Sequence, residues 1–310
     1  MEPFNKQPEE QWQPEEKKQR IGLLHKITLG VSVAALVVSC AALVLALRPD
    51  APEEVPKEPE TPAGMVQYRD QILPVMAGVD VNQYDLSCFG VDERGWRTYK
   101  ENGLSARQGI DVSAYQGEID WKQVADSGVE FAMIRCGYRG YGKGTVNEDE
   151  QFHANIQGAL DAGLDVGVYF FSQAINTWEA REEAAFVLDA IADYPVTYPV
   201  VFDWEPIDGV SSARTNGLSA EAITDCAGIF CDLVEQAGYD PAIYFNQDLG
   251  YLSYRLDVLE ERDFWLAEYN PQPSFYYHFD LWQYTHRGSV PGIEGDVDLN
   301  LDFRPLSGPV

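Results

Sequence analysis

Basic side chains are scarce in this chain of 310 residues: 22 Lys and Arg stand against 50 Asp and Glu, a formal net charge of −28. Nucleic acid is thereby excluded as a partner, because so acidic a surface cannot neutralise phosphates. Histidine is rarer still. His25, His153, His278 and His286 form no HExxH or comparable ligand set, and Cys40, Cys88, Cys136, Cys226 and Cys231 show no CxxC or other metal-binding spacing. No metal and no other cofactor is expected. Cys226 and Cys231, five apart in a helical pattern, fall on different faces, which argues against a disulfide between them. No internal repeat is visible, which excludes a solenoid.

The acid excess is unevenly distributed. Residues 1–47 carry five basic and five acidic side chains, so the whole imbalance lies beyond Leu47. Residues 1–26 are polar and read as a cytoplasmic tail. The next 21 positions, 27–47, hold no charged residue. As a helix they would extend about 31 Å, matching a hydrocarbon core of about 30 Å, and they read as a transmembrane helix. A cleaved signal peptide would show a shorter apolar run followed by a small-residue cleavage site. Val37-Val38-Ser39-Cys40 resembles a lipoprotein processing box, but the apolar run continues past Cys40, which favours a span over lipidation. Basic residues cluster before the span, so the N-terminus is expected in the cytoplasm and the rest of the chain outside. Residues 48–64, rich in Pro, Glu and Ala, read as a disordered, self-repelling linker. Residues 65–108, with a short helical pattern over 67–76, read as a preamble packed on the main domain.

From residue 109 to 310 strand-like and helical patterns alternate. Strands are predicted at 109–113, 129–137, 165–172, 198–203, 241–246, 264–269, 281–285 and 297–303. Helices are predicted at 121–127, 149–162, 177–192 and 219–237, the last capped by Ser219. Eight strands with helices between most of them make an α/β fold, an irregular TIM-like β/α barrel with a parallel sheet.

Val200-Val201-Phe202-Asp203-Trp204-Glu205 is the stretch that gives this barrel a chemistry. Three apolar residues lead to two carboxylates at a strand end. Alternation puts Asp203 and Glu205 on one face, roughly 6–7 Å apart. Alone, an Asp-x-Glu is most simply a solvated turn. In a β/α barrel, however, strand ends from distant parts of the chain converge on one mouth. Asp111 in the first strand and Asp298 in the last are then expected beside the pair, with Glu268 ending the sixth. Tyr169, Phe171, Trp204, Tyr244, Trp265, Tyr269, Trp282 and Tyr284 end the same strands and could wall a groove for sugar rings, whose C–H faces are apolar. Core packing accounts for part of this set. Gln283, Asn246 and Asn300 could hydrogen-bond hydroxyl or acetamido groups.

Gly109-Ile110-Asp111-Val112-Ser113, Tyr115-Gln116-Gly117, Ile119-Asp120-Trp121, Asp203-Trp204-Glu205, Trp282-Gln283-Tyr284-Thr285 and Val297-Asp298-Leu299-Asn300 together resemble glycoside hydrolase family 25, the Chalaropsis-type lysozymes. The resemblance covers about residues 109–303. It implies an N-acetylmuramidase acting on peptidoglycan glycan strands, with Glu205 as general acid and Asp203, Asp111 and Asp298 as the other acids of the site. Crowded acids without an obvious nucleophile suggest that the substrate's own acetamido group assists. A silent wall-binding module, or a glucosaminidase on the same scaffold, stays open as an alternative.

Overall fold

The computed structural model describes residues 62–304. The expected cytoplasmic tail, the 27–47 span and most of the linker lie outside the described residues. Among the described residues no helix is long and apolar enough to cross a membrane.

Strands β1 (Met65–Tyr68) and β2 (Gln71–Pro74) form a hairpin where the spacing predicts a helix over 67–76. Arg69 takes a positive φ of 51° in the two-residue turn, a conformation no helix accommodates. A small sheet follows, made of β3 (Phe89–Val91), β4 (Arg97–Glu101) and β5 (Leu104–Ser105). Aromatic side chains join this segment to the barrel wall. Tyr84 stacks on Phe303 at 4.4 Å, and Phe89 meets Trp282 edge-on at 5.5 Å.

The barrel strands are β6 (Arg107–Val112), β7 (Phe131–Arg139), β9 (Asp165–Ser172), β10 (Val200–Trp204), β11 (Pro241–Asn246), β12 (Asp263–Ala267), β13 (Leu281–Gly288) and β14 (Val297–Asp302). A short strand, β8 (Val146–Glu148), folds back on β7. Helices α1 (Trp121–Asp126), α2 (Phe152–Asp161), α3 (Thr177–Ala190) and α4 (Ala220–Gln236) cross between strands, and α5 (Gln247–Leu252) and α6 (Leu256–Leu259) are short. Ser219 caps α4, accepting from the Ala222 amide at 3.2 Å.

The expected all-parallel sheet is corrected at its last strand: β14 runs antiparallel to both β13 and β6. Only residues 289–296 separate β13 from β14. A parallel crossover needs a dozen residues or more, so the chain must reverse.

Strand alternation produces two cores. One parity points inward, where Phe131, Met133, Val201, Tyr244, Trp265 and Leu281 fill the barrel. The other packs outward, under the helices as with Ile134, Val168, Phe202 and Phe245, or under the preamble as with Trp282. Both faces of the strands are therefore buried, which is why they read as continuous apolar runs. Gly109 is required inside the barrel: a Cβ there would lie 2.2 Å from Cζ of Phe131, whose ring stacks on Tyr198.

Candidate active site

Inward parity also governs the polar residues at the barrel mouth. Asp111 stands one residue before the end of β6, Asp203 one before the end of β10, and Glu205 just beyond β10. Asp298 is second in β14, and because that strand runs backwards its beginning reaches the same rim, in register with Asp111. The four carboxylates line one cleft of about 310 Å³. Tyr169, Phe171, Tyr244, Trp265 and Gln283 complete its inner wall, and Tyr115, Gln116 and Tyr269 its rim.

Asp111 is held by two oriented amides. Gln283 Nε2 donates to its Oδ2 at 2.9 Å and Asn300 Nδ2 donates to the same oxygen at 2.8 Å. Each amide is turned by a further donor. Tyr244 and Tyr269 hydroxyls donate to Gln283 Oε1 at 2.9 and 2.8 Å, and Trp265 Nε1 donates to Asn300 Oδ1 at 2.9 Å. Asp203 is treated differently. Its Oδ1 is buried and has no hydrogen-bond partner among the described residues.

Burial raises the proton affinity of all four acids. Glu205 is pushed up to about 7 by desolvation, with the charges of Asp208 and Asp298 adding. Burial takes Asp111 to about 6, opposed by its two amide donors, and Asp298 to about 8, helped by Asp111. Asp203 rises well above the usual carboxylate range through burial, then through Glu205 and Asp111, with Arg135 opposing. The four acids therefore titrate as an interacting set and not one by one.

Arg135 is the cation on the cleft lining, and reading the sequence missed it. Its Nε donates to Asp149 Oδ2 at 2.7 Å, and its guanidinium lies 5.0 Å from the ring of Tyr115, which is 87% exposed. Asp149 also accepts from the Ala114 amide at 3.1 Å, tying the rim loop to the same anchor. The signal was present: one arginine interrupts the buried run Phe-Ala-Met-Ile-Arg-Cys, at the parity of Phe131 and Met133. Among the described residues no group of three or more His, Cys, Asp or Glu side chains is arranged to hold a metal ion.

The family model described as Glycosyl hydrolases family 25 matches residues 110–293, taking in Asp111, Asp203 and Glu205. The chain belongs to glycosyl hydrolase family 25. This family 25 chain is 30% identical over 224 residues to Lysozyme M1 of Streptomyces globisporus, covering 68% of itself and 71% of that protein. It is 27% identical over 194 residues to the autolytic lysozyme of Clostridium acetobutylicum, covering 62% of itself and 55% of the relative. The modular autolysin LytC of Streptococcus pneumoniae, solved with a synthetic peptidoglycan ligand, superposes with a TM-score of 0.57 at 26% identity, over 74% of this chain and 53% of that one. The chain therefore spans about half the length of the latter two.

Four residues expected in the family 25 groove lie elsewhere. Trp204 and Trp282 have outward parity, Trp282 lying under Phe89 of the preamble, and they donate from Nε1 to the carbonyls of Ala174 and Glu268. Tyr284 has the same parity and is buried beside Gln108. Glu268 accepts from the Ser274 amide at 2.9 Å and the Ser274 hydroxyl at 2.7 Å, so it closes the loop after β12. Trp204 closes β10 and Glu268 follows β12, whereas Trp282 and Tyr284 lie within β13, and their parity turns all four away from the mouth. Asn246 caps α5 through Leu249, and Asn300 positions Asp111.

Proposed function

We propose that this glycoside hydrolase is an N-acetylmuramidase that cleaves the β-1,4 bond between N-acetylmuramic acid and N-acetylglucosamine in peptidoglycan. The observation that carries the reading is the contrast between two neighbours on one strand end. Glu205 holds a proton near neutrality, while Asp203 keeps a buried acceptor with no partner. Glu205 gives its proton to the glycosidic oxygen as the bond from the anomeric carbon breaks. The acetamido carbonyl oxygen attacks that carbon, and Asp203 Oδ1 accepts the acetamido N–H, balancing the charge of the oxazolinium ion that forms. Water then opens the ring, its proton passes to Glu205, and the configuration is retained. Burial, Glu205 and Asp111 raise the proton affinity of Asp203 and Arg135 opposes them, so this role requires Asp203 to give up its proton as the acetamido N–H arrives. Family membership and relatives named as lysozymes support the reading.

The 27–47 segment completes it as a single membrane span, with the N-terminus cytoplasmic and the hydrolase outside. The acidic domain gains no long-range attraction to an anionic wall, so the tether supplies local concentration instead.

Digestion of purified peptidoglycan, followed by reduction of the products, tests the activity. Muramitol at the new ends supports it; glucosaminitol would make the chain a glucosaminidase, and no cleavage would make it a binding module. Glu205→Gln should abolish release without unfolding the domain. An inverted first-formed anomer, seen by NMR, would discard acetamido assistance. Protease accessibility of the domain in intact spheroplasts tests the orientation.

A further inference from the structure

A second cleft, of about 570 Å³, adjoins the catalytic one, and Tyr269 lines both. Its charge is opposite. Three arginines, Arg94, Arg97 and Arg287, line it and no acidic side chain does, in a chain with more than two acids for every base.

The three are not equivalent. Arg94 is committed to scaffolding: its Nε donates to Asp92 Oδ2 at 2.8 Å, and its guanidinium lies 3.9 Å from the ring centre of Trp96. Trp96 Nε1 in turn donates to the Ser289 carbonyl at 3.4 Å, fastening the turn between β3 and β4 to the β13–β14 connection. Arg97, at the start of β4, and Arg287, near the end of β13, have no carboxylate within ion-pair distance among the described residues. Arg287 makes one side-chain hydrogen bond, from its Nε to His286 Nε2 at 3.2 Å. Two guanidinium groups thus face one cleft without counter-ions. Arg97 comes from the preamble, outside the 110–293 stretch that matches the family.

We infer that this cleft binds the carboxylates of the peptide stem carried by the muramoyl sugar undergoing cleavage, an inference that rests on the muramidase reading. The sugars themselves are neutral, and the stem supplies the anionic groups nearest the scissile bond. The catalytic cleft, with four acids, repels carboxylates; the adjoining one attracts them. Guanidinium groups suit this ligand because their paired N–H donors match a carboxylate in plane. The preamble thereby becomes part of substrate recognition as well as of packing.

The test uses the full-length protein and three soluble glycan preparations: chains with free-acid stems, chains with amidated stems, and chains stripped by an amidase whose newly exposed lactyl carboxylates are then converted to amides. The wild type should act on free-acid stems with a KM roughly five- to tenfold lower than on the other two, an advantage that shrinks with salt. Arg97→Gln with Arg287→Gln should erase the advantage while leaving stripped chains unaffected, and the double lysine variant should restore part of it. Equal losses on all three preparations, or an advantage that survives the double glutamine variant, would overturn the inference. Affinity of the same chains for Glu205→Gln protein, with and without the two arginine changes, reports binding without turnover. A stem preference there supports the cleft even if the wild type cleaves nothing, and its absence overturns it. Protection by poly(glycerol phosphate) in place of stems would assign the cleft to phosphate and sink the stem reading.

Discussion

Asp298 stands directly across the antiparallel seam from Asp111, so that two carboxylates occupy one cross-strand pair on the inner face of the barrel. Like charges in such a pair repel, and burial increases the penalty. The site relieves it by holding protons, which links pH to both activity and stability.

Activity on neutral glycan should fall about tenfold per pH unit above roughly 7, where Glu205 loses the proton it must donate. Asp203 must be ionised while Glu205 is protonated, and because burial, Glu205 and Asp111 all raise its proton affinity, the profile should be a narrow bell whose limbs belong to the interacting pair. Arg135→Gln removes the cation that favours that ionised form, so the acidic limb should move to higher pH while the basic limb stays. Arg135→Lys should leave both limbs near their wild-type positions. A pH–rate profile of the three proteins decides; an unmoved acidic limb in Arg135→Gln would remove Arg135 from this role.

Stability should show the opposite bias from an ordinary ion-paired acid. The folded-state affinity of Glu205 for its proton is raised, so the folded form binds more protons than the unfolded one between the ordinary value, 4.5, and about 7. Stability is therefore lost as pH rises through that window. Glu205→Gln escapes the loss. At pH 8 it should be more stable than wild type by roughly 2 kcal/mol, or about 4–8 °C in Tm, and at pH 4 the two should converge. Thermal melts at both pH values check the sign.

Gln283→Leu removes one donor to Asp111 and leaves the hydroxyls of Tyr244 and Tyr269 without their acceptor. The lost bond favoured ionised Asp111, so its proton affinity should rise further. At about 2–3 kcal/mol for the broken network, kcat/KM should drop roughly 30- to 150-fold. Steady-state kinetics with a melt as control separates this from unfolding.

Glu183 is the buried partner of Arg139: Arg139 Nε donates to its Oε1 at 2.6 Å, and the Ser172 hydroxyl donates to its Oε2 at 2.6 Å. Arg139 also donates to the carbonyls of Gly144 and Glu179, joining the β7–β8 hairpin to α3. Glu183→Ala removes the shortest carboxylate contact of Arg139 but leaves Glu182 at 3.3 Å and Glu179 at 4.0 Å, and urea denaturation should show a loss of about 1.5–3 kcal/mol.

Much of the barrel was legible in the chain because strands buried on both faces must be apolar throughout, and helices between them must carry apolar residues at helical spacing. Asp111, Asp203, Glu205 and Asp298 could be named because each closes or opens such a strand. The same reading failed where it ignored alternation: Trp204 lies between Asp203 and Glu205 and must point away from both, as Trp282 and Tyr284 must point away from Gln283. That correction needed only the sequence and the period of two.

Other features were decided by tertiary structure alone. The reversal of β14 sets Asp298 against Asp111, a pairing between residues 187 positions apart that no local pattern encodes. The proton affinities at the mouth arise from burial and mutual repulsion, which exist only once the barrel has closed. Arg97 and Arg287 meet in one cleft because Trp96 fastens the preamble to the β13–β14 connection, a contact between segments 193 residues apart. The amino-acid sequence by itself determined which residues could form strands and which could carry protons. Folding brought them within reach of one another, and in doing so gave ordinary carboxylates the raised proton affinity that general acid catalysis requires.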